Sequence, residues 1–138
     1  MIENKQNENG HWEYTESFNP EDFVGFVYEI RNVKTNRGYI GKKSFWSTRT
    51  LKPLKGKKRN RKVTKDSGWK TYCSSSDALQ LDIKQNPGQH TYKILKLCKS
   101  KRELTYHETK EQFVRGVLED DRYLNENILG KFFRQTIK

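Results

Sequence analysis

The stretch that decides the fold is "GFVYEIRNVKTNRGYIGKK", residues 25–43. Its first part has the aromatic and β-branched content of a strand, with Phe26, Tyr28 and Ile30 on one face. "KTNRG" is typical of a turn, and "GYIG" begins a second, shorter strand. The stretch therefore predicts a β-hairpin with one tyrosine on each arm.

Two pairing registers are open for this hairpin. One places Tyr28 opposite Lys43, and the other places it opposite Tyr39. Either register gathers Tyr28, Tyr39 and Lys43 into one small patch.

The rest of the chain continues with alternating strands and helices. "SSSDALQLDIKQN" predicts a helix that a serine caps and residues 86–88 end. "HTYKILKLC" is typical of a third strand, and residues 100–103 form a capping box that begins a helix through about Leu118. A last helical segment is predicted from Asn125 toward Phe133. The predicted order is β-β-α-β-α-α.

The chain is predicted to form one domain, residues 21–138, with an arm and an insertion. Its 138 residues suffice for a single core. Residues 1–20 are polar and mixed in charge, and they predict a flexible or loosely docked N-terminal arm. Residues 52–70 contain nine Lys or Arg against one acidic residue. Such a run cannot form a core and predicts a mobile basic insertion at about residues 50–70.

Charge and cysteine content narrow the classes of function. The chain has 28 Lys and Arg against 17 Asp and Glu, and this net charge of +11 favours a polyanionic partner. Nothing predicts a signal peptide, a membrane span or a long basic helix of the kind that lies on anionic membranes. The two cysteines and three histidines are scattered and form no metal or disulfide motif, so a metal ion would need oxygen ligands.

The hairpin resembles the paired motif of a nuclease family. "FVY" at 26–28 and "YIG" at 39–41 are similar to the two motifs that name the GIY-YIG endonucleases, whose nuclease domain has the same element order. "YIGKKSFW", "GWKTYCSSSDALQLDI" and "VLEDDRYLNENI" resemble the Seg-like branch of phage and homing endonucleases. The similarity covers roughly residues 23–134.

The resemblance implies a fold, an activity and a setting. The fold is α+β, a small three-stranded antiparallel sheet flanked by helices. The activity is hydrolysis of phosphodiester bonds in double-stranded DNA with one divalent cation, Mg²⁺ or Mn²⁺. A phage-encoded enzyme of this kind would act in the host cytoplasm. Because 138 residues leave no room for a separate recognition region, we expect modest sequence preference and action alone, with partners or as a homodimer on DNA.

The resemblance gives both tyrosines a role. Tyr39 matches the tyrosine that positions or deprotonates the attacking water, and Tyr28 is its partner at the water or the phosphate. A tyrosine is a poor base unless positive charge favours the phenolate, and Lys42 and Lys43 are placed to supply that charge. Gly41 would let the backbone approach a phosphate closely. The alternative interpretation is that both tyrosines only pack in the core.

Two candidates exist for the cation that stabilises the transition state. Family members carry an arginine after the second motif tyrosine, and Arg49 has the matching offset. The predicted helix "DALQLDIKQ" contains no arginine, so Lys43 is the alternative. Other basic residues are expected to contact the DNA backbone, namely Lys42, Lys57, Lys58, Arg59, Arg61 and Lys62.

The resemblance places the metal ligand on the helix after the third strand. Glu108 is the candidate and Glu111 the alternative. Helical periodicity does not separate them, because both lie beside or away from the predicted apolar face of Tyr106, Phe113, Val114, Val117 and Leu118.

An asparagine in "YLNENI" completes the candidate site. Asn125 matches the residue that closes the family pattern and orients the ligand or a substrate oxygen, and Asn127 is the neighbouring alternative. Asn125 could instead cap a helix.

A second interpretation belongs to another class of function. The chain could be a catalytically inactive basic module that retains the nuclease fold and only binds nucleic acid. The helix without an arginine favours this interpretation, whereas the full set of Tyr, Tyr, Glu and Asn residues argues against it.

Overall fold

A three-stranded antiparallel sheet is the frame of the molecule, as predicted. The structure is a computed structural model that describes residues 8–137. In chain order its elements are β1 (Gly25–Asn32), β2 (Gly38–Ser44), β3 (Trp46–Leu51), β4 (Arg61–Asp66), α1 (Asp77–Gln85), β5 (His90–Cys98), α2 (Lys101–Val114), β6 (Asn127–Ile128), β7 (Phe132–Phe133) and α3 (Arg134–Ile137). The main sheet has the order β2-β1-β5. The α+β class is therefore confirmed, while the element order contains two additional hairpins.

Strand β1 lies in the middle of the sheet and is covered on both faces. Phe26, Tyr28 and Ile30 belong to one buried cluster, in agreement with the predicted face. Val27, on the opposite face, belongs to a second cluster with Leu104 of α2. The hairpin that carries the motif tyrosines is thus part of the core.

The register of the hairpin differs from both predicted alternatives. Tyr28 pairs with Gly41, Tyr39 with Ile30, and Lys43 with Phe26, so the turn centres on residues 34–35. Directly paired residues share a face of the sheet, so Tyr28, Tyr39 and Lys43 still lie on one side, as predicted.

The side chain of Asn32 accounts for this turn. Its Oδ1 accepts hydrogen bonds from the backbone N–H of Lys34, at 2.9 Å, and of Thr35, at 3.2 Å. Asn36 then adopts a left-handed backbone with φ 62°. This is a conformation that asparagine tolerates better than most residues do.

The N-terminal segment is docked on the sheet rather than loosely attached. Trp12 is only 2% exposed and lies within the cluster of Phe26 and Tyr28. Its Nε1 donates to the carbonyl of Trp69, and Glu13 pairs with Lys93 along the edge of β5. The predicted loose arm is therefore wrong for residues 8–20, because a buried indole anchors them. Residues 1–7 lie outside the described residues.

The basic insertion is a second β-hairpin and not a mobile loop. Strands β3 and β4 pair in register from Trp46↔Asp66 to Leu51↔Arg61. β-branched residues in both arms, Thr48, Thr50, Val63 and Thr64, favour the extended backbone. We call residues 46–66 the basic ribbon.

Both main helices begin where the sequence predicts. The hydroxyl of Ser76 accepts from Leu79 N–H at the start of α1, and that of Ser100 accepts from Glu103 N–H at the start of α2. Helix α2 ends at Val114 instead of Leu118, because Gly116 takes a left-handed φ of 58°. No helix among the described residues is both long and apolar enough to cross a lipid bilayer.

The predicted last helix after Asn125 is mostly a small hairpin. Strands β6 and β7 pair Asn127 with Phe133 and Ile128 with Phe132. Leu129 and Gly130 both have positive φ, which is the geometry of a tight hairpin turn and is incompatible with a helix. Only the short α3 follows.

Docking of the N-terminal segment predicts a large stability effect. Trp12→Ala should lower the free energy of unfolding by about 3–5 kcal/mol, because the change leaves a cavity beside Phe26 and Tyr28. Urea denaturation measures this loss. Glu16→Ala, at an exposed position of the same segment, is the control and should change stability by no more than about 0.5 kcal/mol. Equal stability of the two variants would show that the segment is not docked.

Candidate active site

The two motif tyrosines stack against one another on one face of the sheet. Their ring centroids lie 6.3 Å apart, with Tyr28 buried and Tyr39 half-buried. A Cβ atom at Gly41 would lie 2.5 Å from the Tyr28 hydroxyl and 3.0 Å from the Tyr39 ring. Gly41 therefore makes room for the tyrosine pair. Nothing here supports the expected role of bringing backbone close to a phosphate.

Ser74 lies beside both motif tyrosines and was not predicted. Hydrogen bonding with its side chain acts to lower the pKa of Tyr28 and of Tyr39, and its Oγ accepts from Ser76 N–H at 3.1 Å. Ser74 is buried and has φ 82°, a left-handed conformation that a serine rarely adopts. Unusual backbone of this kind is often found at functional sites.

Burial raises the pKa of both phenols and so favours their neutral form. It raises the pKa of Tyr28 far above its usual range, although the hydrogen bond with Ser74 acts in the opposite direction. The pKa of Tyr39 is raised by burial and by the negative charge of Glu108, again against the hydrogen bond with Ser74. The expected lowering by Lys42 and Lys43 is therefore wrong for this structure.

The outer edge of β2 is covered by residues that follow α2. The backbone N–H of Gly38 donates to Arg122 O at 2.7 Å, and Leu124 N–H donates to Gly38 O at 2.8 Å. At Ile40, two residues further along the same edge, the side-chain amide of Asn125 replaces this backbone pairing. Its Oδ1 accepts from Ile40 N–H at 3.1 Å, and its Nδ2 donates to Ile40 O at 2.8 Å.

At one residue of β2, the side-chain amide of Asn125 thus makes the two hydrogen bonds that the backbone of a neighbouring strand would make. Its side chain is 1% exposed, and the same Ile40 carbonyl also accepts from Gln112 Nε2 at 3.0 Å. No helix starts here, so the alternative of a helix cap is wrong. Asn127 is exposed and accepts from Gly130 N–H in the turn.

Beyond Asn125 the edge of β2 opens into a cleft of about 760 Å³. The cleft is bounded by β2, the start of α1, the inner face of α2 and the β6 region. Its lining residues are Tyr39, Lys42, Ser75, Ser76, Asp77, Ala78, Glu108, Gln112, Glu126, Asn127 and Leu129. Three carboxylates face one lysine, so the cleft is locally acidic within a strongly basic protein.

Glu108 belongs to the inner stripe of α2. Leu104 and Gln112, one turn to either side, are both buried, and the Glu108 side chain is 17% exposed. Burial raises the pKa of Glu108, and the Lys42 ammonium, 4.0 Å from Oε1, lowers it in part. The predicted apolar face is wrong for Tyr106, Phe113 and Val114, which are exposed. Val117 and Leu118 are buried as expected, but they lie beyond the end of α2.

Glu111, the alternative ligand, faces a different environment. Its Oε1 accepts from Arg115 Nε at 2.9 Å, and Arg115 also contacts Glu29 at 3.4 Å. Both carboxylates of this group have a guanidinium partner, whereas the ion-pair partner of Glu108 within residues 8–137 is Lys42, at a longer distance. Of the two glutamates, Glu108 is the one that lines the cleft with Tyr39.

The residues fit a hydrated divalent cation. In residues 8–137 no three His, Cys, Asp or Glu side chains converge as a metal cage. Mg²⁺ commonly keeps several waters and uses only one or two carboxylates together with substrate phosphates. One partly desolvated carboxylate beside an open, acidic cleft meets that requirement.

The basic candidates are divided between three places. Lys42 lies at the cleft, where its Nζ also donates to Thr105 Oγ1 at 2.8 Å. Lys43 lies on the tyrosine face, with Nζ 4.2 Å from the centre of the Tyr72 ring. Arg49 lies on β3, is exposed and does not line the cleft. The remaining predicted DNA-contacting residues are exposed on the basic ribbon, namely Lys57, Lys58, Arg59, Arg61 and Lys62.

Sequence reasoning missed Ser74 and Gln112 for different reasons. The spacing of Leu104, Glu108 and Gln112 at intervals of four is a helical stripe with polar members, and it could have identified Gln112. Ser74 sits in a run of three serines of which one was expected as a helix cap. Nothing in that run signals a left-handed backbone.

The two asparagines predict different stability effects. Asn125→Ala should lower the free energy of unfolding by about 2 kcal/mol, because the buried N–H of Ile40 loses its acceptor. Asn127→Ala removes only an exposed turn contact and should cost less than about 1 kcal/mol. Chemical denaturation of both variants checks this difference. Equal losses would contradict the role given to Asn125.

Comparison with protein families identifies the chain. Residues 11–128 match the family described as "Putative endonuclease segE, GIY-YIG domain". The matched range contains both motif tyrosines, Glu108 and Asn125. Comparison with curated proteins and with solved structures finds no match. Because the match spans most of the chain, the protein belongs to the segE family of GIY-YIG endonuclease domains.

Proposed function

We propose that this endonuclease domain hydrolyses phosphodiester bonds of double-stranded DNA with a divalent cation, Mg²⁺ or Mn²⁺, held at Glu108. The observation that carries the proposal is that Tyr39, Glu108 and Lys42 line one cleft at the open edge of β2. Tyr39 and Lys42 both belong to β2, and the fold brings Glu108 of α2 to them.

The chain's own residues have distinct roles in this proposal. Tyr39 is the half-buried phenol at the cleft, so its hydroxyl positions the attacking water. Tyr28 is almost fully buried and supports Tyr39 without touching the substrate. Lys42 offsets negative charge that develops on the phosphate, with Lys43 next to it on the opposite face of β2. Asn125 positions Tyr39 through the neighbouring Ile40 backbone.

A bound divalent cation would polarise the phosphate and lower the pKa of a coordinated water. Glu108 would hold it, since its carboxylate is partly desolvated and has one distant cationic partner. The start of α1 also faces the cleft, and the free N–H groups of a helix start favour a phosphate there.

The setting inferred from the sequence stays a prediction. It comprises a phage-encoded, homing-like enzyme in the host cytoplasm and the option of a homodimer on DNA.

Arg49 lies outside the cleft, and α1 contains no arginine. This one feature supports a second candidate function, an inactive nucleic-acid-binding module, and the first experiment below separates it from the nuclease.

Cleavage should depend on Glu108 and not on Glu111. With supercoiled plasmid and Mg²⁺, Glu108→Gln should reduce the rate at least about 100-fold, since several kcal/mol of transition-state stabilisation depend on the cation. Glu111→Gln is the matched control on the same helix and should retain most activity. If the wild type leaves plasmid intact while still binding it, the domain is the inactive module. Equal loss in both variants would contradict the role of Glu108.

The pH dependence of cleavage should depend on Ser74. Its hydrogen bond lowers the pKa of Tyr39, so removal of the hydroxyl raises that pKa further. If Tyr39 takes a proton from water, Ser74→Ala should move the rising limb of the pH–rate profile to higher pH. Ser74→Gly lacks the same hydroxyl and relieves the left-handed backbone, so it should show the same shift. A rate loss without any shift in either variant would contradict this role for Ser74.

A further inference from the structure

The basic ribbon projects from the body of the protein with little packing of its own. Every residue of β4 is exposed, and Val63 is 43% and Leu54 52% exposed. Within residues 8–137, neither β3 nor β4 has extensive contacts with any other strand or helix, although Trp46 at the base of the ribbon packs against the core. An isolated two-stranded hairpin is only marginally stable in water, so a binding partner would stabilise it further.

The charge of the ribbon indicates the chemistry of that partner. Residues 46–66 contain nine of the 28 basic residues and one of the 17 acidic residues, a net charge of +8. The other 117 residues hold 19 basic and 16 acidic residues, a net charge of only +3. Most of the protein's excess charge is therefore on one slender projection, which fits a polyanion rather than a generally basic surface.

The two faces of the ribbon carry different side chains. Directly paired residues share a face, so the pairs Arg49↔Val63, Ser47↔Lys65 and Leu51↔Arg61 lie together on one side. Thr48, Thr64 and Thr50 lie on the other side with Lys62. One face thus presents both arginines of the strands, and arginine is the side chain best suited to bind guanine edges.

The base of the ribbon is fixed to the strand that carries Tyr39. Trp46 Nε1 donates to Phe23 O at 3.3 Å, and Ser67 Oγ donates to Ser44 O at 2.6 Å. Ser44 is the last residue of β2. Six residues in each arm give a length of about 20 Å, and the major groove of B-form DNA, about 12 Å wide, admits a two-stranded β-ribbon.

We infer that the basic ribbon enters the major groove of DNA beside the cleaved phosphate. The face of Arg49 and Arg61 would lie on the base edges, and the tip of the ribbon, residues 52–60, would lie on the DNA backbone. This inference rests on the proposed function for the identity of the substrate. It also gives Arg49 a role in binding instead of in the chemical step. The ribbon would then supply the sequence preference of the domain.

The test separates the arginine face from the tip by changing two charges in each. The face variant is Arg49→Gln with Arg61→Gln, and the tip variant is Lys57→Gln with Lys58→Gln. Both are made in the Glu108→Gln protein and measured in EDTA by gel shift, so cleavage does not enter the readout. Ligands are DNA duplexes of cleaved and scrambled sequence and an RNA duplex of the cleaved sequence. If the wild-type protein cleaves no DNA, the duplex that it binds most tightly in a binding selection replaces the duplex of cleaved sequence.

The face variant should lose about tenfold of the preference for the selected over the scrambled duplex. It should also lose the preference for DNA over RNA, because the deep, narrow major groove of RNA excludes a ribbon. The tip variant should keep both preferences. Its slope of log K against log salt concentration should be smaller in magnitude by about 2, as expected for two lost phosphate contacts. Thr48→Ala with Thr64→Ala, on the opposite face, should bind like the parent.

Identical behaviour of the face and tip variants would overturn groove entry. Unchanged affinity of both would show that the ribbon does not bind DNA and would leave an acidic protein as the partner. Either result can occur with an active nuclease, whereas a protein that binds through the ribbon but never cleaves would disprove only the proposed function.

Discussion

The pairing of Asn125 with the backbone of Ile40 is the constraint on which the site depends. A β-strand at the edge of a sheet has unpaired N–H and C=O groups, and here a side-chain amide satisfies both at one residue. The segment before Asn125 covers the edge at Gly38 with backbone. Because the substitute pairing ends at Ile40, the next residue of the same edge, Lys42, faces an open cleft.

At this edge, residues from opposite faces of the sheet line the same cleft. Tyr39 belongs to the face with Tyr28, whereas Lys42 pairs with Val27 on the face that packs against α2. Only at the sheet edge can residues of both faces line one cavity, and Glu108 reaches this edge from α2. Gln112, one turn further along α2, binds the Ile40 carbonyl and so holds that helix to the strand.

Positive and negative charges are concentrated in different parts of the molecule. The cleft contains three carboxylates and one lysine, which favours a cation, while the basic ribbon holds most of the excess positive charge. Long-range attraction of a polyanion is therefore strongest at the basic ribbon. A cation in the cleft would offset the repulsion between its carboxylates and a phosphate, which is consistent with the divalent metal that GIY-YIG nucleases generally use.

The sequence predicts those parts that local patterns determine. Strand alternation in β1 and the serine caps of α1 and α2 were confirmed, because local propensity and packing agree there. The docking of Trp12 and the edge pairing of Asn125 were not foreseen, since both depend on residues more than 50 positions away. The register was wrong because the Asn32 side chain sets the turn. The high charge of the ribbon predicts a loop, whereas its β-branched residues favour the hairpin that the structure has.

The account is tested most directly by locating Mn²⁺ in crystals of the protein with a DNA duplex. The anomalous signal of Mn²⁺ should place one ion at the carboxylate of Glu108, on the side of the cleft that faces Tyr39, with the scissile phosphate as a further ligand. That ion should be missing from crystals of Glu108→Gln grown under the same conditions. An ion bound at Glu111 and Glu29, or a DNA phosphate seated in the cleft with no ion beside Glu108, would contradict the account.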